Sequence, residues 1–178
     1  SRITFNKLIT QIQGTCYHII LAYSGMRKSE ALSLSNTCFE ETNGTFWLIG
    51  KTTKLEGQRK QVRWVTTKEV KRIVHVLNSI NLIIGKHHNI ALNDLPLFIT
   101  TRYIISKDFK NHLYRDQFSK RNILPIDMKK IQVSQEDLEE IKNIDFTIDE
   151  DRVKVGDVWH FAPHQYRRSL AVYAIQSG

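Results

Sequence analysis

The chain has 178 residues, a length that favours one domain with a sizeable core over two separate domains. Its 26 lysines and arginines outnumber 18 acidic residues, which gives a net charge of +8 at pH 7. That balance suits a partner with closely spaced phosphates. Cys16 and Cys38 are not spaced as metal ligands are. We therefore expect both to be reduced thiols in a cytosolic protein. No signal peptide is visible, and the apolar run at 19–22 is far too short to cross a bilayer.

The first fifth of the chain predicts two helices. Residues 4–24 have a helical pattern, with a break expected at Gly14. The apolar residues that recur at helical spacing are Ile9, Ile12, Cys16, Ile19 and Ile20. Ser24 and Gly25 interrupt the pattern, and a second helix is expected over Lys28–Leu34. The residues expected to face inward there are Ala31, Leu32 and Leu34.

A β-hairpin with an exposed basic loop is predicted next. Thr45–Ile49 is rich in aromatic and β-branched residues and follows Asn43-Gly44, a turn signal. Gln61–Val65 alternates polar and apolar residues, as a half-buried strand does. The polar segment Gly50–Gly57 lies between them and predicts the loop. A helix is expected from about Lys68, and its apolar positions at a period near 3.6 are Val70, Ile73, Val74, Leu77 and Ile80.

The last third combines a charged insertion with a final helix. Residues 105–155 are dominated by Lys, Asp and Glu, and we expect an insertion with surface helices within a single domain, 1–178. Ser134–Asp137 has the pattern of a capping box and predicts a short helix through Ile141. Pro163 suits the first turn of a helix over His164–Gln176. These elements predict a mainly α fold with a small antiparallel β-sheet, an α+β class.

Three clusters carry residue types that suit phosphate chemistry. Arg27 stands at a helix start with Glu30 three residues later, so the carboxylate can hold the guanidinium on the same face. A surface ion pair of little energetic weight is the simpler interpretation of that spacing. In the hairpin loop a lysine can reach a leaving oxygen as general acid, and Lys51, Lys54 and Lys60 compete for that role.

The third cluster is at the start of the last predicted helix. His164 and Arg167 share a face at i and i+3, close to a helix N-terminus that favours anions. A core-edge histidine beside a surface arginine is the alternative. Taken with the other clusters, the order resembles the tyrosine recombinase and phage integrase family. Ser24–Leu34 is similar to the segment with the family's first catalytic arginine, Ile49–Lys51 to its hairpin lysine, and Pro163–Arg167 to the segment with its second arginine.

The resemblance implies an integrase-like catalytic core that cleaves and rejoins DNA in site-specific recombination or integration. A tyrosine attacks a phosphate and forms a 3′-phosphotyrosyl link, and no metal or other cofactor is implied. The implied catalytic residues are Arg27, Lys51, His164 and Arg167, with Glu30 supporting Arg27. Further DNA contacts are expected from Lys28, Lys54, Arg59, Lys60 and Arg168. In the family a histidine is common at the position of Arg168.

The implied protein is a recombinase of a mobile genetic element, cytoplasmic in a bacterial or phage setting. Its partner is double-stranded DNA, on which the full-length protein is expected to be tetrameric, whereas residues 1–178 are expected to be a monomer. The nucleophilic tyrosine, a third His or Trp and the N-terminal DNA-clamping domain are expected outside these residues. The fragment alone is therefore expected to be inactive, and Tyr166 and Tyr173 are interpreted as packing residues.

Three other functions stay open at the level of sequence. The chain can be a non-catalytic basic DNA-binding module of the same fold, or an enzyme that relaxes DNA in the manner of a type IB topoisomerase. It can also be a helical domain whose basic charge is incidental. The histidines at 87–88 and the pair at 160 and 164 lack acidic or thiol partners at ligand spacing, so no metal site is assigned.

Overall fold

The computed structural model describes residues 2–52, 60–102, 104–112, 127–144, 153–159 and 161–176. Helices and one small antiparallel sheet make up this part of the chain, which confirms the predicted α+β class. The chain divides into two compact units, one formed by Ser1–Ile123 with Pro163–Gly178 and the other by Leu124–Ala162. No helix among the described residues is both long enough and apolar enough to span a bilayer.

Two helices open the larger unit. Helix α1 covers Arg2–Ser24 without interruption, so the predicted break at Gly14 is wrong. A helical glycine costs only about 1 kcal/mol, and the neighbouring Gln13 and Tyr17, each 1% exposed, hold this part of α1 in the core. Helix α2 covers Lys28–Leu32 and ends before the predicted Leu34, which leaves the helix and is fully buried.

A three-stranded antiparallel sheet follows, in the order β1-β2-β3. Its strands are β1 (Phe39–Thr42), β2 (Thr45–Thr52) and β3 (Lys60–Thr66). The predicted hairpin is β2 and β3, each longer than expected, whereas β1 was not predicted. Asn43 and Gly44 form the tight turn between β1 and β2 with positive φ angles of 52° and 74°, a geometry that favours these two residue types.

The register of β2 and β3 decides which side chains share a face of the sheet. Leu48 is opposite Trp64, Lys51 is opposite Gln61, and Thr52 is opposite Lys60. Because the pairing is regular and successive side chains alternate between faces, even-numbered positions of both strands face the core. Leu48 is fully buried there. Odd-numbered positions form the outer face.

Helix α3 covers Lys68–His88 and begins where the sequence predicts. It packs through the predicted apolar face, and a buried amide network fixes it to the segment between α2 and β1 and to the segment that follows α3. The Asn81 Nδ2 group donates to Asn36 Oδ1 at 2.7 Å and to the carbonyls of Pro96 and Leu97, each at 3.1 Å. Both asparagines are at most 4% exposed. A buried amide is stable only with its partners in place, so this network specifies one arrangement of the larger unit.

The smaller unit contains helix α4, Gln135–Ile144. Its predicted capping box is confirmed: Asp137 N donates to Ser134 Oγ at 3.0 Å, and Ser134 N donates to the Asp137 carboxylate at 2.8 Å. The helix runs three residues past the predicted end at Ile141. Val133 N also donates to the Asp157 carbonyl at 2.9 Å, which ties the segment before α4 to residues 153–159.

Helix α5 covers His164–Gln176, the predicted bounds, and belongs to the larger unit. Tyr166 packs against the core, as interpreted from the sequence, but Tyr173 is 69% exposed, so its interpretation as a packing residue is wrong. The physical reason is the part of α5 that contacts α1. Tyr166 contacts His18 within α1, and Leu170 lies over Gly25, just past the end of α1. Tyr173 is three residues beyond Leu170, which is almost a full helical turn further from these contacts.

Candidate functional site

Arg27 is placed by a turn that joins α1 to α2. Ser24 Oγ donates to the Ile20 carbonyl at 2.6 Å and accepts from Met26 N at 3.3 Å. Gly25 has a φ of +61°, a conformation that L side chains rarely adopt. Met26 is 2% exposed and anchors the turn in the core. Arg27 therefore occupies the N-cap position of α2 on a turn with little freedom.

The Arg27–Glu30 pair that the spacing predicts is present. Arg27 Nη1 donates to Glu30 Oε1 at 2.9 Å, and the Arg27 backbone N donates to Glu30 Oε2 at 2.7 Å. Glu30 is 4% exposed, whereas the Arg27 side chain is 39% exposed. A guanidinium has five N–H donors, so this pairing leaves Arg27 the capacity to bind a phosphate at the surface. Because the Glu30 carboxylate is buried, the Arg27–Glu30 pair differs from a solvated surface ion pair.

Thr52, which the sequence analysis did not single out, completes this cluster. Its Oγ1 donates to Glu30 Oε1 at 2.9 Å, and Thr52 is 6% exposed. The signal that could have found it is strand alternation: four residues after the buried Leu48, a polar side chain faces the core and needs a partner. The contact joins the end of β2 to the start of α2.

The environment of Glu30 favours its ionised form. Burial alone raises the pKa of a carboxyl group, but the hydrogen bonds from the Arg27 backbone, the Thr52 hydroxyl and the Arg27 guanidinium lower it further than burial raises it. The pKa of Glu30 therefore lies below its ordinary value of 4.5. Glu30 is an anion at neutral pH and holds the cationic Arg27 in a fixed place.

Arg167 reaches the same turn from α5. A β-carbon added to Gly25 would lie 4.0 Å from Arg167 Cγ and 3.0 Å from Leu170 Cδ2. The stem of Arg167 therefore passes beside Gly25, two residues before Arg27, and Gly25 is required for this close approach as well as for its φ. Arg167 is exposed, so its charged end remains available at the surface. The structure brings the two predicted arginines to one turn of the chain.

His164 is the first residue of α5 and is exposed, three residues before Arg167. This places it on the first turn of the helix, on the same face as Arg167. Arg168 is also exposed and follows on the adjacent face. Lys28 is half-buried at the first position of α2. His164 and Lys28 therefore each lie at the first position of a helix, and Arg168 begins the second turn of α5.

The lysines of the hairpin are divided between the two faces of the sheet. Lys51 is exposed at an odd-numbered position of β2, so its side chain leaves from the outer face, away from Thr52 and Glu30. Lys60 is exposed directly opposite Thr52 and leaves from the face that contacts Glu30. Lys60, rather than Lys51, therefore shares a face of the sheet with the Thr52–Glu30 contact. Lys54 and Arg59 lie outside the described residues.

A buried histidine holds α5 to α1. The Tyr166 hydroxyl lies 3.3 Å from His18 Nδ1, and His18 is 7% exposed. Burial lowers the pKa of His18 from its ordinary value of 6.5. The folded protein therefore binds fewer protons at this site than the unfolded chain, so stability is fully present above pH 6.5 and falls as the pH drops below it.

We expect the free energy of unfolding, measured with urea at a series of pH values, to decrease in the wild-type chain as the pH falls below 6.5 and to depend less on pH in His18→Phe. Protonation of Glu30 lowers the free energy of unfolding in a separate pH range, below the ordinary pKa of 4.5. Equal slopes for the two proteins below pH 6.5 would show that His18 is not protonated on unfolding in this range.

The candidate site therefore consists of a rigid Arg27–Glu30–Thr52 cluster, with Arg167 beside it and Lys60 on the same face of the sheet. Comparisons of the chain with protein-family models, with curated proteins and with solved structures found no match.

Proposed function

We propose that the larger unit is the catalytic core of a tyrosine-type site-specific recombinase that acts on double-stranded DNA. The observation that carries the proposal is the meeting of Arg27 and Arg167 at the Gly25 turn, with Arg27 fixed by a buried carboxylate. Two arginine side chains that start beside one turn suit a phosphate, because each guanidinium group can donate two parallel hydrogen bonds to its oxygens.

In this proposal Arg27 and Arg167 bind the two non-bridging oxygens of one DNA phosphate. Negative charge on those oxygens grows when a tyrosine oxygen attacks the phosphorus, and donors that are already in place stabilise the transition state. The new bond joins the tyrosine oxygen to phosphorus, and the bond from phosphorus to the 5′ oxygen breaks.

The departing 5′ oxygen needs a proton. Lys51 was the predicted donor, but the register of the hairpin favours Lys60, since Lys60 shares a face with the Thr52–Glu30 contact. An ammonium group on this face can approach a phosphate held by Arg27, whereas one on the outer face starts from the far side of the sheet. His164, on the first turn of α5, is proposed to assist by hydrogen bonding to the same phosphate.

The phosphate site is tested by nuclear magnetic resonance of the arginine side-chain N–H groups. On addition of a short DNA duplex, the signals of Arg27 and Arg167 should shift together, with one apparent Kd, because both bind the same phosphate. Arg63 is the matched control, since it is exposed on the outer face and pairs with Glu40 at 3.2 Å. Its signal should stay in place.

Two results would contradict the proposed site. One is an Arg27 signal that does not respond to the duplex. The other is a shift of Arg63 as large as that of Arg27, which would indicate diffuse attraction of a basic protein to DNA. In the second case, a DNA-binding module without catalysis would become the better description.

A further inference from the structure

Thr52 and Arg27 use the same oxygen atom of Glu30. Glu30 Oε1 accepts one hydrogen bond from Thr52 Oγ1 and one from Arg27 Nη1, both at 2.9 Å. Glu30 and Thr52 are 4% and 6% exposed, so water has little access to either side chain. The orientation of the carboxylate is therefore set by protein donors on α2 and β2.

The contact lies where the sheet approaches the turn before α2. Gly50, two residues before Thr52 on the same face, has so little space that an added β-carbon would lie 3.1 Å from Leu34 and 3.8 Å from the Met26 side chain. Thr52 is thus the polar end of an otherwise apolar contact between β2 and the residues on either side of α2. It is also directly opposite Lys60. A displacement of Thr52 would move the lysine-bearing strand relative to Arg27.

We propose that Thr52 is a positioning residue for the phosphate site: by donating to Glu30, it fixes the Arg27 guanidinium relative to the strand that carries Lys60. The inference rests on the proposed function and adds a residue that acts through Glu30 without touching DNA. A buried carboxylate that loses one of its donors holds its proton more readily and is oriented less firmly. The less firm orientation weakens its hold on Arg27, and the change in proton affinity reports the loss of the donor.

The test compares three variants of the chain. Thr52→Val keeps the size of the side chain and removes the donor, and Thr52→Ser keeps the donor. Thr66→Val is the matched control, because Thr66 is also 6% exposed at an even-numbered, core-facing position of β3, and its hydroxyl has no hydrogen-bond partner among the described residues. Thermal unfolding verifies that each variant is folded. Duplex affinity at low salt and the carboxyl ¹³C titration of Glu30 are then measured.

Thr52→Val should weaken duplex binding by about threefold to tenfold, as the loss of one hydrogen bond to a charged group allows. It should also raise the pKa of Glu30, since a donor to the ionised form is lost. Thr52→Ser should restore both quantities, and Thr66→Val should change neither. A general loss of sheet stability would instead affect both valine variants and would leave the pKa of Glu30 in place.

The inference on Thr52 and the proposed function can fail separately. If Arg27→Ala weakens binding but Thr52→Val binds as well as the wild type, the inference is overturned and the phosphate site stands. An unchanged Glu30 pKa in Thr52→Val overturns the inference in the same way. If Arg27→Ala has no effect on binding, the proposed function fails, and the inference fails with it.

Discussion

Replacing Arg27 or Arg167 with alanine should slow formation of a covalent protein–DNA link by about a hundredfold to a thousandfold, as loss of one donor to a developing oxyanion typically does. The protein for this measurement is expressed with any coding sequence that follows residue 178 in its gene. Arg167 is the cleaner position, because it is exposed, whereas removal of Arg27 leaves the buried Glu30 carboxylate without its cation. Arg27→Lys retains the charge but loses the paired donors.

Arg63→Ala is the control for these variants, because Arg63 forms an exposed ion pair with Glu40 on the outer face of the sheet. Exposed ion pairs contribute about 0–1 kcal/mol, so this change should alter the rate by only about fivefold or less. Rates are compared below the melting temperature of each variant. Equal losses in Arg63→Ala and Arg167→Ala would contradict the assignment of Arg167 to the phosphate.

The lysines offer a second comparison in the same assay. Because general acids contribute about a hundredfold or more, Lys60→Ala should be strongly impaired if Lys60 protonates the departing oxygen. Lys51→Ala should be close to the wild type, since Lys51 leaves the sheet from the outer face. The reverse order of rates would overturn the argument from strand register and return the role to Lys51.

Binding of duplex DNA by the chain should weaken about twelvefold between 50 and 200 mM salt. This value follows if the site neutralises two phosphates, which gives a slope of about −1.8 in the logarithm of affinity against the logarithm of salt concentration. Arg27 and Arg167 share the first phosphate, which Lys60 also approaches, and Arg168 is expected to contact a neighbouring one. The dependence arises because each neutralised phosphate releases counterions.

The double variant Arg27→Ala with Arg167→Ala should lose the shared phosphate and halve that slope to about −0.9, so that affinity falls only about threefold to fourfold over the same salt range. Affinities are measured by fluorescence anisotropy with a labelled duplex, and Arg63→Ala serves again as the control. An unchanged slope in the double variant would mean that DNA contacts a different surface of the chain.

Local patterns in the sequence predicted those helices whose ends are marked by a capping residue, a proline or the start of an apolar period. The bounds of α5 follow from Pro163 at its start, and the start of α4 follows from the Ser134–Asp137 capping box. The start of α3 follows from its apolar period. Arg27 and Glu30 are three residues apart in one helix turn, so their contact could also be predicted.

Features that depend on distant contacts were missed. Strand register decides the face of Lys51 and Lys60, and a shift of one residue would exchange them, which the sequence of a short hairpin does not reveal. The Thr52–Glu30 contact joins residues 22 apart and needs that same register. Gly14 was expected to break α1, but burial of its neighbours outweighs the cost of one helical glycine.

The most direct test of the proposed function is whether the protein becomes covalently linked to DNA. The protein, expressed with any coding sequence that follows residue 178, is incubated with duplexes that cover the DNA on either side of its gene. These duplexes are nicked so that the cleaved strand diffuses away. We predict a protein–DNA adduct that survives denaturation, depends on Arg167 and is joined through a tyrosine. A protein that binds these duplexes but forms no such adduct would contradict the recombinase proposal and would leave a DNA-binding module without strand cleavage.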